Sequence, residues 1–327
     1  MKLGLHLIPD SWDSFKRRAR SAEEAGFDTL WVAESSLTVL DVYVALTVAV
    51  DCTQHIRLAP GCTNVVLRHE AMVAAALASI DELAGGRVIC AIGSGDTPIR
   101  ALGRSPSKVE EMRQAVLDIQ ALTGGRDVRY GERTVRLSWA HRQMPVFVTA
   151  EGPRTLQMAA AVADGILNSS GTSADVRQWL SDQVDVGASQ SGRDPREVEV
   201  WLSCMLAIGD SQDQARDAIR PRVANRARHN IMAAPDLVPE QHKQSSQRLI
   251  DEFDINAWYD PKHASLVTDY MVDRFAIAGT AEYVAQRLAE LDSSGVVGLM
   301  LDFPMHAFDQ TMETFTDQVV PLLAAAR

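Results

Sequence analysis

The chain has no long apolar run, no excess of positive charge and no regularly spaced cysteines, and each absence removes a class of function. None of its apolar stretches approaches the roughly 20 residues that a membrane-spanning helix needs. Its 32 Lys and Arg against 43 Asp and Glu leave a net charge of −11, which argues against nucleic acid or an anionic membrane as a partner. The four cysteines, Cys52, Cys62, Cys90 and Cys204, have neither metal-ligand nor CxxC spacing. Two of them lie in apolar strand-like runs, where a reduced core thiol is the default. No pair of His and carboxylate residues has metal spacing, so no metal is expected. No GxSxG elbow marks a nucleophilic serine, and the first βα loop, Pro9-Asp10-Ser11, is not a GxGxxG phosphate loop. The N-terminal MKLGLHLIPD reads as a strand and not as a signal peptide, because acidic, helical sequence follows at once. The expectation is a soluble cytosolic protein that works on a small molecule.

What is present is a repeated strand–helix grammar. Its clearest example is residues 145–171. Val146–Thr149 is apolar, Ala150-Glu151-Gly152-Pro153 is a tight turn, Leu156, Ala159, Ala160 and Ala163 have helical spacing, and Asp164-Gly165 opens a second apolar run. That is a βαβ unit. Pro153 suits a first helical turn, Gly152 lets backbone approach a ligand, and the exposed N–H groups there form a natural phosphate site. The same grammar predicts strands at Leu3–Ile8, Thr29–Val32, Ile56–Gly61, Val88–Ile92, Pro145–Thr149, Gly165–Ser169, Val198–Ile208 and Gly298–Phe303. Apolar strands alternating with amphipathic helices imply a parallel sheet under a helical cover. Eight units over 327 residues favour a closed (β/α)8 TIM barrel forming a single domain.

One stretch breaks the rhythm. Residues 221–276 carry Pro221, Pro235, Pro239 and Pro261 around a helical patch at Gln244–Phe253. They read as an insertion between strand seven and the last βα unit, forming a lid or wall over the C-terminal face. His229, His242, Trp258, Tyr259 and His263 lie in it. Side chains at strand C-termini face the mouth of such a barrel. Here they are His6, Glu34, Gly61, Cys62, Thr63, Asn64, Gly93, Ser94, Gly95, Asp96, Ala150, Glu151, Asn168, Ser169 and Asp302. The Gly-rich ends leave room for a flat ring against bare backbone. Asp96 and Glu34 are the acidic candidates for proton transfer, with an N-cap or turn role as the alternative for Asp96.

Five motifs in order resemble the bacterial luciferase-like superfamily of flavin- and deazaflavin-dependent oxidoreductases. They are AEEAGFDTLWVAES (22–35), IRLAPGCTNVVLRHEA (56–71), IDELAGGRVICAIGSGD (80–96), VFVTAEGPRTLQMAAAVADGI (146–166) and FAIAGTAEYVAQRLAELDSSGVVGLML (275–301). The chain is most similar to the methylenetetrahydromethanopterin reductase-like branch, which uses coenzyme F420. It lacks the histidine that the luciferase and alkanesulfonate monooxygenase branches carry after strand two, where it reads Glu34-Ser35-Ser36. It departs from the deazaflavin branch in lacking an acidic-His pair at that point, and in carrying Val65 where Pro is usual.

The resemblance implies hydride transfer between F420 and a small organic substrate, with FMN as the alternative cofactor in a monooxygenase or reductase. A non-catalytic flavin-binding or structural barrel is the alternative of another class. It further implies a ring seated on a bulge at the end of strand three, with a cis peptide at Gly61–Cys62. The phosphate and tail would pass over Ala150, Glu151, Gly152, Asn168 and Ser169, within reach of Arg154. Asp96 would act as proton donor, and Glu34 as a second acid or a hydrogen-bonding partner of the ring. Relatives pair through helices two and three, so a homodimer through 42–50 and 71–80 is expected.

Overall fold

The computed structural model describes the chain except for Ser36, residues 255–259 and residues 326–327. Trp258 and Tyr259 therefore lie outside the described residues. In chain order the elements are β1 (Lys2–Leu7), α1 (Trp12–Glu24), β2 (Thr29–Val32), α2 (Val42–Cys52), β3 (Arg57–Pro60), β4 (Thr63–Asn64), α3 (Glu70–Leu83), β5 (Cys90–Gly93), α4 (Thr97–Ala101) and α5 (Val109–Thr123). There follow β6 (Val128–Tyr130), β7 (Arg133–Val135), β8 (Val146–Thr149), α6 (Pro153–Val162), β9 (Gly165–Asn168), α7 (Ala174–Gln190), β10 (Glu199–Ile208) and α8 (Gln212–Ala233). The chain continues through α9 (Lys243–Glu252), α10 (Asp269–Phe275), β11 (Ala276–Gly279), α11 (Ala281–Ser293), β12 (Gly298–Asp302), α12 (Phe308–Thr314) and α13 (Val320–Ala325).

The main sheet is parallel throughout and runs β3-β2-β1-β12-β10-β9-β8-β5-β4. β3 and β4 are two parts of one strand, broken at Gly61–Cys62. A bridge from Leu58 to Val88 joins β3 to the run leading into β5. The sheet thereby curls back on itself as a TIM-type barrel, as the alternating pattern predicts.

Three aromatic rings fill the barrel floor. Trp31 meets Trp201 edge-on, with centroids 5.4 Å apart, and Phe147 at 6.0 Å. Space for them comes from glycines on neighbouring strands: a Cβ on Gly298 would fall 2.3 Å from the Trp201 ring, and one on Gly165 2.4 Å from Phe147. Around the barrel, helices bury one face each. Phe15, Ala19 and Ala22 of α1 and Leu46 and Ala49 of α2 are examples, all fully buried.

Two expectations need correction. Pro221 does not open a separate segment, because α8 runs from Gln212 to Ala233 straight through it. The proline removes one backbone bond without ending a helix that is anchored on both sides. The strand count also misses Ala276–Gly279. β10 is ten residues long; Trp201–Met205 pair with β12, and Met205–Ile208 pair with β11. A four-residue AIAG run between two helices is too short a signal to be separated from its flanks. The small antiparallel pair β6–β7 likewise carries no pattern of its own in the sequence.

Candidate active site

A cavity of about 350 Å³ opens at the C-terminal ends of the barrel strands, within the range of small-molecule sites. His6, Glu34, Gly61, Cys62, Thr63, Asn64, Gly93, Gly95, Asp96, Glu151, Ser169 and Asp302 all line it. The barrel geometry gathers these residues because each ends or follows a strand. Ala150, Gly152 and Asn168 do not line it. Ala150 is packed in the core, and Asn168 is turned inward, donating to the Ala150 carbonyl at 2.7 Å and accepting from the Ser170 amide at 3.0 Å. Gly152 is the N-cap of α6, with no side-chain cap bond and with Pro153 next. Arg154 is exposed on the first turn of that helix.

The third strand supplies one wall of the cavity, from Gly61 to Asn64. The Gly61–Cys62 peptide is cis. A Cβ on Gly93 would stand 2.7 Å from Cys62 Sγ, so β4 and β5 touch here only because Gly93 has none. Burial pushes the Cys62 thiol up to about 12, which makes it a packing group rather than a nucleophile. Beside it Asn64 Nδ2 donates to Glu34 Oε2 at 3.3 Å, and Tyr43 and Thr63 share a hydrogen bond of 2.9 Å. Burial raises the Glu34 carboxyl above its ordinary range, against the opposing pull of Thr63, Arg68 and Asn64. Arg68 itself is ion-paired with Asp41, the N-cap of α2.

The opposite charge sits on α8. Arg222, Asn225, Arg226 and His229 line the cavity at the i, i+3, i+4, i+7 spacing of one helical face. Arg222 Nη2 donates to Asp302 at 3.0 and 2.8 Å, Arg226 Nη1 donates to Ser203 Oγ at 2.8 Å, and His6 Nδ1 lies 3.4 Å from Asp302. Burial alone would raise Asp302, but Arg222, His6 and Arg226 outweigh it and hold the carboxyl far below the usual range. His229 lies 3.9 Å from both Glu151 and Asp96. Glu151 accepts from Ser169 Oγ at 2.9 Å. Burial acts to raise Glu151, and His229, Ser169 and Arg226 reverse that, leaving it below its ordinary value. Asp96 is the N-cap residue of α4 but makes no cap bond; its Oδ1 accepts instead from Arg100 Nε at 2.6 Å.

Reading the sequence in strand-end positions misses Arg222, Asn225 and Arg226, because Pro221 reads as a break in a helical pattern. Their helical spacing with His229 was the available signal. His242 and His263 lie elsewhere: His242 stacks on Tyr270 at 3.9 Å and His263 on Phe253 at 4.3 Å, outside the cavity. Among the described residues no group of three or more His, Cys, Asp or Glu could hold a metal ion, and no helix is long and apolar enough to cross a membrane.

The model of the luciferase-like monooxygenase family matches residues 2–298. The chain belongs to this family. Among its members, it is 30% identical over 320 residues to a 5,10-methylenetetrahydromethanopterin reductase of Archaeoglobus fulgidus, covering 93% of this chain and 94% of that one. An F420-dependent glucose-6-phosphate dehydrogenase of Amycolatopsis mediterranei is 21% identical, with 93% and 92% covered. The structure of the coenzyme F420-dependent tetrahydromethanopterin reductase from Methanopyrus kandleri superposes with a TM-score of 0.81, at 24% identity and 98% coverage of both chains. The shared family fold places the strand ends that line the cavity at the usual active-site face of a barrel.

Proposed function

We propose that this luciferase-like protein is an F420-dependent oxidoreductase that exchanges a hydride with a small organic substrate, and that the substrate is a one-carbon-bearing tetrahydropterin. The observation that carries the reading is the cavity wall. Gly61, Gly93 and Gly95 put side-chain-free residues into the lining on one side, and the lining also holds Glu34, Asp96, Glu151 and His229. The full-length likeness to a methylenetetrahydromethanopterin reductase supports the cofactor and the substrate class.

The residues present fit the cofactor. Its ring needs a flat surface without side chains, which Gly61, Gly93 and Gly95 supply. Its phosphate suits the start of α6 beside the cavity, where Gly152 leaves first-turn N–H groups without a side-chain cap and the Ser169 hydroxyl stands at the cavity edge. When bound, the deazaflavin supplies or accepts the hydride. The protein's part is to orient both partners, exclude water and move the matching proton. Glu34, held by Asn64, is placed to hydrogen-bond at the third-strand wall, and Asp96 to exchange protons at the rim.

The test is titration of the purified protein with F420 and, separately, with FMN, followed by absorbance and fluorescence. Tight binding of F420 with weak or no binding of FMN is expected. The bound protein should then oxidise reduced F420 when 5,10-methylenetetrahydromethanopterin is added. Binding of FMN alone would overturn the cofactor assignment, and binding of neither would return the chain to a structural role.

A further inference from the structure

His229 lines the cavity and stands between two carboxylates from different βα turns. Its Nε2 lies 3.9 Å from Glu151 Oε2, after β8, and its Nδ1 lies 3.9 Å from Asp96 Oδ2, after β5. These two carboxylates differ in kind. The Glu151 side chain is only 14% exposed and is fixed by Ser169, whereas Asp96 is 45% exposed and its other oxygen is tied to Arg100. One ring nitrogen therefore addresses the interior of the site and the other its solvent rim. The ring is carried by α8, and its neighbour Asn230 bonds to Ser169 at 3.2 Å and so seats the helix against the end of β9. The charged groups that face His229 are Glu151, Asp96 and, one turn back on its own helix, Arg226. The ring is itself 46% exposed; Glu151 first, then Asp96, favour the imidazolium, while partial desolvation and Arg226 oppose it, and the balance raises its pKa above the ordinary histidine value.

We propose that His229 is the proton-transferring residue of this site, with Asp96 and Glu151 as its positioning residues; the assignment rests on the F420-dependent reading above. In the reducing direction the substrate carbon takes the hydride supplied by the reduced cofactor. The electron pair of its π bond, or of the C–N bond that opens, moves to the heteroatom, and that heteroatom takes the proton from the imidazolium. The neutral ring then recovers a proton from water along the Asp96 side. Two-electron oxidation of the dihydro cofactor would release one proton, which offsets the one the substrate takes up through the ring, so the overall reaction draws no net proton from solvent. Asp96 is the poorer donor for this step, because one of its oxygens is held by Arg100 at the rim.

Two measurements test this on the full-length protein. The first is an NMR pH titration with ¹³C-labelled histidine, assigned with His229→Gln. His229 is expected to titrate above the ordinary value near 6.5, and to fall in both Glu151→Gln and Asp96→Asn; titration at or below the ordinary value in the wild type overturns the proposal. The second is turnover of reduced F420 with 5,10-methylenetetrahydromethanopterin. His229→Gln should bind F420 as the wild type does, lose about 10²-fold in kcat and lose the fall in kcat that the wild type shows as pH rises through the His229 pKa. Added imidazole should restore part of the activity of His229→Ala. An unchanged pH profile in His229→Gln overturns the proposal. A wild-type protein that binds F420 but leaves this pterin unreduced overturns the substrate reading instead, and the NMR titration then decides the assignment of His229.

Discussion

Arg222 Nη2 donates to both carboxylate oxygens of Asp302, at 3.0 and 2.8 Å, and so couples α8 to the end of the last barrel strand. The Asp302 side chain is 3% exposed, and a buried carboxylate that loses its partner keeps its desolvation cost without the attraction that offset it. Arg222→Met is expected to lower stability by about 3 kcal/mol, read from urea denaturation at neutral pH. A change within error of zero would mean that Arg226 and His6 suffice for Asp302.

Acid should weaken the protein through the same cluster. Asp302 and Glu151 both have folded pKa values below their ordinary ones. A depressed carboxyl contributes stability that is present above its unfolded pKa, near 4, and is lost as pH falls through its folded pKa. Stability should therefore decline from about pH 4 downward, with a smaller decline in Asp302→Asn. Equal slopes for the two proteins below pH 4 would remove Asp302 as the cause.

At the rim, Asp96→Asn should retain F420 affinity and slow turnover by about tenfold, less than the 10²-fold or more expected of a direct acid–base residue. Glu34→Gln is expected to weaken cofactor binding more than it slows turnover, because Glu34 stands at the third-strand wall beside Asn64. Cofactor titration and steady-state kinetics separate the two. A loss in Asp96→Asn as large as that in His229→Gln would make Asp96 the donor.

On the barrel floor, Gly298→Ala tests the packing of Trp201. The new Cβ would lie 2.3 Å from two ring atoms of that indole, which is 0% exposed and has nowhere to move. We expect a loss of about 1–3 kcal/mol, measured by thermal or urea unfolding, together with a changed tryptophan fluorescence.

The outer helices lead to a prediction about association. Val44 of α2 and Met72 and Leu83 of α3 are half or more exposed, more apolar surface than a solvated helix face needs. We expect a homodimer through these helices that buries well over 1,000 Å² in total. Light scattering at micromolar concentration checks it, and Met72→Glu should yield monomers. A wild-type monomer would disprove the pairing.

Strand identity was legible because parallel barrel strands are apolar on both faces, so Leu3–Ile8, Thr29–Val32, Pro145–Thr149 and Gly298–Phe303 stand out from amphipathic surroundings. From the order of those strands followed the mouth of the barrel, and with it Glu34, Gly61–Asn64, Gly93–Asp96 and Glu151 as neighbours. Tertiary structure alone decided which strand-end residues face the cavity. Asn168 and Ala150 occupy equivalent sequence positions to Ser169 and Glu151, but alternation along an extended chain turns one of each pair inward to the core. It also decided the role of α8. A proline in a sequence marks a break, yet here packing on β10, β11 and the cavity holds the helix together across Pro221. Only that continuity brings Arg222 and Arg226 to Asp302, and His229 to Glu151 and Asp96.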